Sequence, residues 1–175
     1  MANDIIVRVT QRVALISFQV AAGAALCLAV IMTCALMLAS RPVHAAGPER
    51  EALTIATVDG RRIDFTVEVA RTPQQKSFGL MFRERLAPGT GMLFPYPAAD
   101  NVTMWMRNTL ISLDMLFIAS DGRIARIEAH TEPMSERIIS AGEPVTGVLE
   151  IAAGEASRLG IAAGDTVIHS HFKAR

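Results

Sequence analysis

From residue 53 onward the chain alternates apolar and polar side chains in short runs broken by turn residues. Leu53-Thr-Ile-Ala-Thr-Val58 and Arg62-Ile-Asp-Phe-Thr-Val-Glu-Val69 flank Asp59-Gly60, a pattern that predicts a β-hairpin. Thr72-Pro-Gln-Gln-Lys-Ser-Phe78 then opens as a short helix, with Thr72 as N-cap, Pro73 at the first position and Gln75 completing a capping box. Pro88-Gly-Thr-Gly91 is a turn that leads into the apolar run Met92-Leu-Phe94, which Pro95 and Pro97 should break. Strands are expected at Val102–Met106 and Leu113–Ala119, and Asp121-Gly122 turns the chain into Arg123–Glu128. His130–Glu136 reads as a loop, Val145–Ile151 as a strand, Glu155–Leu159 as one or two helical turns and Thr166–His171 as the last strand. About eight short strands, two short helices and no βαβ alternation imply a mainly β (β-rich α+β) domain, antiparallel and barrel-like.

Residues 1–45 are a different material. Arg8 and Arg12 precede an uncharged run from Val13 to Ala39, and Val43-His44-Ala45 has the form of a small-residue cleavage site. That order is the one found in secretory signals. The run is also long enough to cross a bilayer, which takes about 20 helical residues. Residues 1–45 are therefore expected to be a cleaved signal or a retained membrane anchor. Residues 46–175 are expected to form one exported domain, periplasmic or secreted, held at the inner membrane through residues 13–39 only if that segment is retained.

Composition narrows the chemistry. Both cysteines, Cys27 and Cys34, lie inside the apolar run, so the exported part has no disulfide, Cys-ligated metal or Cys nucleophile. Residues 46–175 carry fourteen Lys and Arg against sixteen Asp and Glu, interspersed, with one Trp and one Tyr. Nucleic acid is excluded as an expected partner, because binding it takes clustered cations and stacking aromatics.

The chemistry-bearing residues concentrate between Phe78 and Phe117, which holds the only Trp, five of nine Met and four of seven Phe. Arg83, Asn108, Thr109 and Asp114 stand as single polar residues in this apolar block. A few convergent polar groups in an apolar wall describe a small-ligand pocket, and equally a well-satisfied core. On a strand Met104 and Met106 share one face and Trp105 takes the other, so Trp105 either caps a barrel mouth or lines a cleft. Thioethers at that spacing also suit copper(I), with His130, His169 or His171 as a nitrogen ligand, although Met is the ordinary gap-filler of cores. Asp114 and Glu150 are lone carboxylates between apolar neighbours, and each needs a partner if buried. Together in one cleft they would make an acid/base pair of the kind that hydrolyses glycosides.

At Phe78-Gly-Leu-Met81, Gly91-Met-Leu-Phe94, Trp105-Met-Arg-Asn-Thr109, Leu113-Asp-Met-Leu-Phe-Ile118, Asp121-Gly-Arg-Ile124 and Val148-Leu-Glu-Ile151 with Gly154, the chain resembles the domain-of-unknown-function family number 192. The resemblance spans roughly Phe65 to Val167. It implies a compact, exported or membrane-tethered β-rich domain and brings no activity, substrate or catalytic residue. A shorter likeness at Glu155–Val167 is similar to the helix and Gly-Asp-x-Val turn of double-psi and other cradle-loop barrels. It implies a relation to that architecture.

The function expected from these readings is a non-enzymatic exported domain with a small-ligand-binding or envelope accessory role. Its candidate ligand residues are Arg83, Trp105, Met106, Asn108, Thr109, Asp114 and Glu150, with no cofactor. Two alternatives stand beside it: a small periplasmic hydrolase using Asp114 and Glu150, and a copper(I) protein using Met104, Met106, His169 and His171. An envelope protein is the alternative partner to a small molecule.

Overall fold

The computed structural model describes residues 47–172. The expected signal or anchor and both cysteines lie outside the described residues. Among the described residues, no helix is long and apolar enough to cross a membrane.

Strands β1 (Glu49–Ala56) and β2 (Arg62–Val69) form the first hairpin, in register from Glu49 opposite Val69 to Ala56 opposite Arg62. Its turn closes as expected: Gly60 takes a left-handed φ of 88° and donates to the Thr57 carbonyl. Helix α1 (Pro73–Phe78) carries the full capping box, Thr72 Oγ1 accepting from Gln75 N while Gln75 Oε1 accepts from Thr72 N. The chain returns as β3 (Thr90–Asp100), parallel to β2. Next come β4 (Thr103–Met104), β5 (Leu113–Ile118), β6 (Ile124–Glu128), β7 (Ile139–Ser140) and β8 (Val145–Ala152). Helix α2 (Glu155–Leu159) and β9 (Thr166–Ile168) complete the fold.

Seven strands form one sheet in the order β6-β5-β8-β3-β2-β1-β9, antiparallel except for β2 beside β3. The sheet curls strongly enough for its two edges to meet. Arg123 bridges Thr166, Ile124 N donates to Asp165 O, and Val167 N donates to Gly122 O at 2.7 Å. Among the described residues the fold is thus mainly β, with nine strands, two short helices and a barrel-like sheet.

Curling gives the sheet two buried faces. The concave interior packs Leu53, Ile55, Phe65, Val67, Leu116, Leu149 and Ile151, and Phe172 seals it against Gly147. A Cβ at Gly147 would stand 2.7 Å from the Phe172 ring, so only glycine leaves room for this plug. The convex face of β3, β5 and β8 buries Met92, Phe94, Met115, Phe117 and Val148 under the segments 79–87 and 100–112, which contribute Leu80, Val102 and Met106. Burial on both sides explains why β5 and β8 are apolar at nearly every position.

Two expectations are corrected. Pro95 and Pro97 do not end their strand: β2 leaves β3 after the Val69–Leu93 pair, so both prolines sit where β3 has a partner on one side only and a missing N–H breaks no ladder. The strand expected over Val102–Met106 contains only Thr103 and Met104, paired with Ser140 and Ile139 of β7. Past Met104 the chain turns away, Met106 N donating to Ser135 O.

Candidate ligand-binding site

Glu150 lies on β8 directly between Met92 of β3 and Met115 of β5. Its register puts it on the convex face, and the covering segments leave it only 4% exposed. The carboxyl receives no hydrogen bond from any described residue, and burial pushes its pKa up to about 8. It sits instead at the wall of a cavity of about 310 Å³ between β3, α1 and the Thr103–Thr109 segment. Phe78, Phe94, Tyr96 and Trp105 bring four aromatic rings to this cavity, Met81 and Met104 two thioethers, and Thr109 a hydroxyl.

Among the described residues two cations reach the same cavity, and both are already engaged. Lys76 Nζ donates to the Pro95 carbonyl and lies 4.3 Å from the Tyr96 ring centroid. Arg107 pairs with Glu136 at 3.0 Å and holds its guanidinium 5.2 Å from the Trp105 ring centroid. Burial and, second, the charge of Glu150 raise the Tyr96 phenol to about 12.

The structure gathers some of the sequence candidates and separates others. Trp105, Thr109 and Glu150 line one cavity, and Trp105 is 49% exposed at its mouth. Met106 is buried in the convex-face core and is not among the residues lining the cavity beside Glu150. Asn108 faces a neighbouring hollow bordered by Pro73, Ser77 and Met81. With φ at 56°, its carbonyl accepts from Phe82 N at 2.8 Å. Thr109 O in turn accepts from Met134 N at 3.0 Å. This one dipeptide thus pins two other large residues in left-handed backbone, Phe82 and Met134. Their side chains stand 59% and 54% exposed beside the site.

Arg83 is elsewhere. It forms a two-pronged pair with Glu68, at 2.9 and 2.6 Å, which holds the Glu68 carboxyl below the usual range. Asp114 is buried on the concave side, where Oδ1 accepts from His130 N and Oδ2 from Ala156 N, each at 3.0 Å. Gly154, the N-cap of α2, has no side chain to offer, so Asp114 supplies the cap from β5.

The metal candidates do not converge. His169 Nε2 lies 3.0 Å from Glu51 on β1, and burial lowers its pKa despite that carboxylate. His171 Nε2 lies 2.8 Å from the Thr146 carbonyl. Met104 takes a weak contact from the Tyr96 hydroxyl at 3.9 Å. Among the described residues no three His, Cys, Asp or Glu are placed to hold a metal ion.

The sequence reading missed Lys76, Met81, Tyr96 and Arg107. Tyr96 carried a signal, being the only Tyr, set between two prolines that keep the strand from pairing on one side. Nothing local marked Lys76, which reaches the site because α1 packs beside β3.

Comparison with curated proteins found no match. Two solved structures are similar. One, from Sinorhizobium meliloti 1021 and described as a candidate transcription regulator, is 46% identical with a TM-score of 0.69, covering 70% of this chain and 95% of its own. The other, a protein of unknown function from Novosphingobium aromaticivorans DSM 12444, is 40% identical with a TM-score of 0.67, covering 74% of this chain and 90% of its own. The family model DUF192, described as Uncharacterized ACR, matches residues 54–169, and the chain belongs to this family.

Proposed function

We propose that this is an exported, non-enzymatic domain that binds a small molecule in the cavity between Glu150 and Trp105. The observation carrying this reading is a buried carboxyl that no described residue hydrogen-bonds, facing a cavity walled by aromatic rings and thioethers. Folding leaves such a group bare only at a free-energy penalty, because a polar group buried without a partner costs about 1–3 kcal/mol. A ligand that meets Glu150 recovers that penalty. Export is supported by the signal-like order of residues 1–45.

Copper(I) is the second reading, favoured by Met81 and Met104 facing the same cavity as Trp105. The Sinorhizobium relative's description would point to gene regulation instead. Against that stands the pairing, among the described residues, of Arg50, Arg61, Arg71, Arg123, Arg126, Arg137 and Arg158 with carboxylates, which offsets much of the positive charge that phosphates would need.

The test uses Trp105, the only tryptophan of the full chain, as reporter. Native mass spectrometry of the gently purified full chain, followed by a fluorescence screen of small amines, acids, alcohols and copper(I), should find a species that shifts Trp105 emission. Met81→Leu with Met104→Leu should abolish only a copper response. A Trp105 signal indifferent to every compound, with a bare mass, would overturn the binding reading.

A further inference from the structure

Resting on that reading, the cavity also indicates which charge its ligand carries. Glu150 is flanked in the sheet by Met92 and Met115, neither of which can donate a hydrogen bond. The charged and titratable groups at the cavity are Lys76 from α1, Tyr96 from β3 and Arg107 from the segment after β4. Lys76 is bound to the Pro95 carbonyl and Arg107 to Glu136, and neither contributes to the perturbation of Glu150, which burial alone causes. The wall therefore holds an acid whose counter-charge the described chain does not provide.

The rings beside it already act as seats for cations. The chain lays its own ammonium over Tyr96 at 4.3 Å and its own guanidinium over Trp105 at 5.2 Å. Aromatic faces hold positive charge through their quadrupole, and more strongly where water is excluded. Phe94 and Phe78 extend the same wall, with Met81 and Leu80 to receive an apolar body.

We propose that the cavity takes the ammonium group of a small amine with an apolar body, its N–H donating to the Glu150 carboxylate and its charge lying against the aromatic wall. Binding then has a proton signature. Free Glu150 holds its proton at neutral pH, and an ammonium ligand requires the carboxylate, so each binding event releases about one proton below pH 8. An anionic ligand would instead need the protonated acid and release none.

The experiment compares phenethylamine, 3-phenylpropionate and 3-phenylpropanol on the full chain at pH 7, by Trp105 fluorescence and by calorimetry in two buffers of different ionisation enthalpy. A Phe-Gly-Gly peptide and its N-acetylated form distinguish a free amine from a peptide N-terminus as the source of the ammonium. Phenethylamine or the free peptide should bind at least tenfold tighter than the alcohol and the acetylated peptide, with close to one proton released. Glu150→Gln should remove both the proton release and that tenfold margin. Should the variant fail to fold, the buffer dependence of the parent chain decides alone.

The acid or the alcohol binding as tightly as the amine, or amine binding without proton release, overturns the ammonium assignment and leaves the cavity as a binding site. Failure of all five probes, while another compound still moves Trp105, also overturns the assignment alone.

Discussion

Asp114 and Glu150 sit on neighbouring strands one position out of register, and their carboxyl groups point to opposite faces of the sheet. Met115 pairs with Glu150 and Asp114 with Ile151, so the strand alternation of two sends the acids apart. They therefore share no cleft, and Asp114 and Glu150 do not form the acid/base pair expected of a hydrolase. One is an architectural tie with both oxygens bonded, and the other is a bare acid at a cavity. Sequence context alone, a carboxylate between apolar residues, made them look alike.

Asp114→Asn should cost about 2–4 kcal/mol, because it weakens two charge-assisted bonds to His130 N and Ala156 N, and Asp114→Ala should cost more. The check is denaturant unfolding, with a lower midpoint at unchanged slope. Binding in the Trp105 cavity should persist in whatever fraction folds. Selective loss of binding with full stability would instead place Asp114 at the ligand.

Glu150 should dominate the difference in pH dependence between the parent and Glu150→Gln. Its folded pKa is raised to about 8 from 4.5, so between these values the native state keeps a proton that the unfolded chain has lost. Stability then falls by about 1.4 kcal/mol per pH unit as pH rises through that window, and levels off above it. His169, whose pKa is lowered, acts in the opposite direction below 6.5 and is common to both proteins. Subtracting the Glu150→Gln curve from the parent's should isolate the Glu150 slope. Parallel curves from pH 5 to 8 would show that the acid has a partner.

How the sequence anticipated the fold follows from the range of the forces involved. The turns at Asp59-Gly60 and Asp121-Gly122 and the capping box at Thr72 are local, set by residues within four positions of one another, and each forms where expected. The apolar strands β5 and β8 were recognisable, but which of their faces meets which layer depends on register, and register is a long-range property. The site suffers most from this. Trp105 and Glu150 are 45 positions apart, and Lys76 meets Tyr96 only through the parallel crossover from β2 to β3. Arg83 looked like a ligand residue because nothing in its neighbourhood revealed Glu68 on β2.

Arg83→Ala should leave Trp105-reported binding unchanged within twofold, since Arg83 belongs to a different hollow, lined by Glu68, Arg85 and Thr90. Its effect should fall on acid stability. The lowered pKa of Glu68 gives stability that is present above 4.5 and lost as pH falls through the folded value. Removing the guanidinium should flatten that acid limb, and thermal unfolding between pH 2.5 and 5 would read it. An unchanged limb would show the pair to be idle.

Phe82 and Met134 test whether the strained rim serves binding. Both hold large side chains in the left-handed region, with φ of 61° and 62°, and both keep those side chains largely in solvent. Left-handed backbone costs a non-glycine residue about 1–2 kcal/mol, and exposed apolar groups do little to offset it. Glycine relieves that strain while adding unfolded-state entropy, so Phe82→Gly and Met134→Gly should each change stability by less than about 1 kcal/mol and leave the Asn108 and Thr109 carbonyls bonded. Phe82→Val keeps an apolar side chain but adds β-branching at that φ, and should destabilise by more than 1 kcal/mol. If the strain is retained to hold Phe82 beside Phe78, whose ring lies 6.0 Å away at the cavity, Phe82→Gly should weaken ligand binding several-fold without unfolding the domain. Equal affinity in the glycine variants would confine the site to the cavity wall itself.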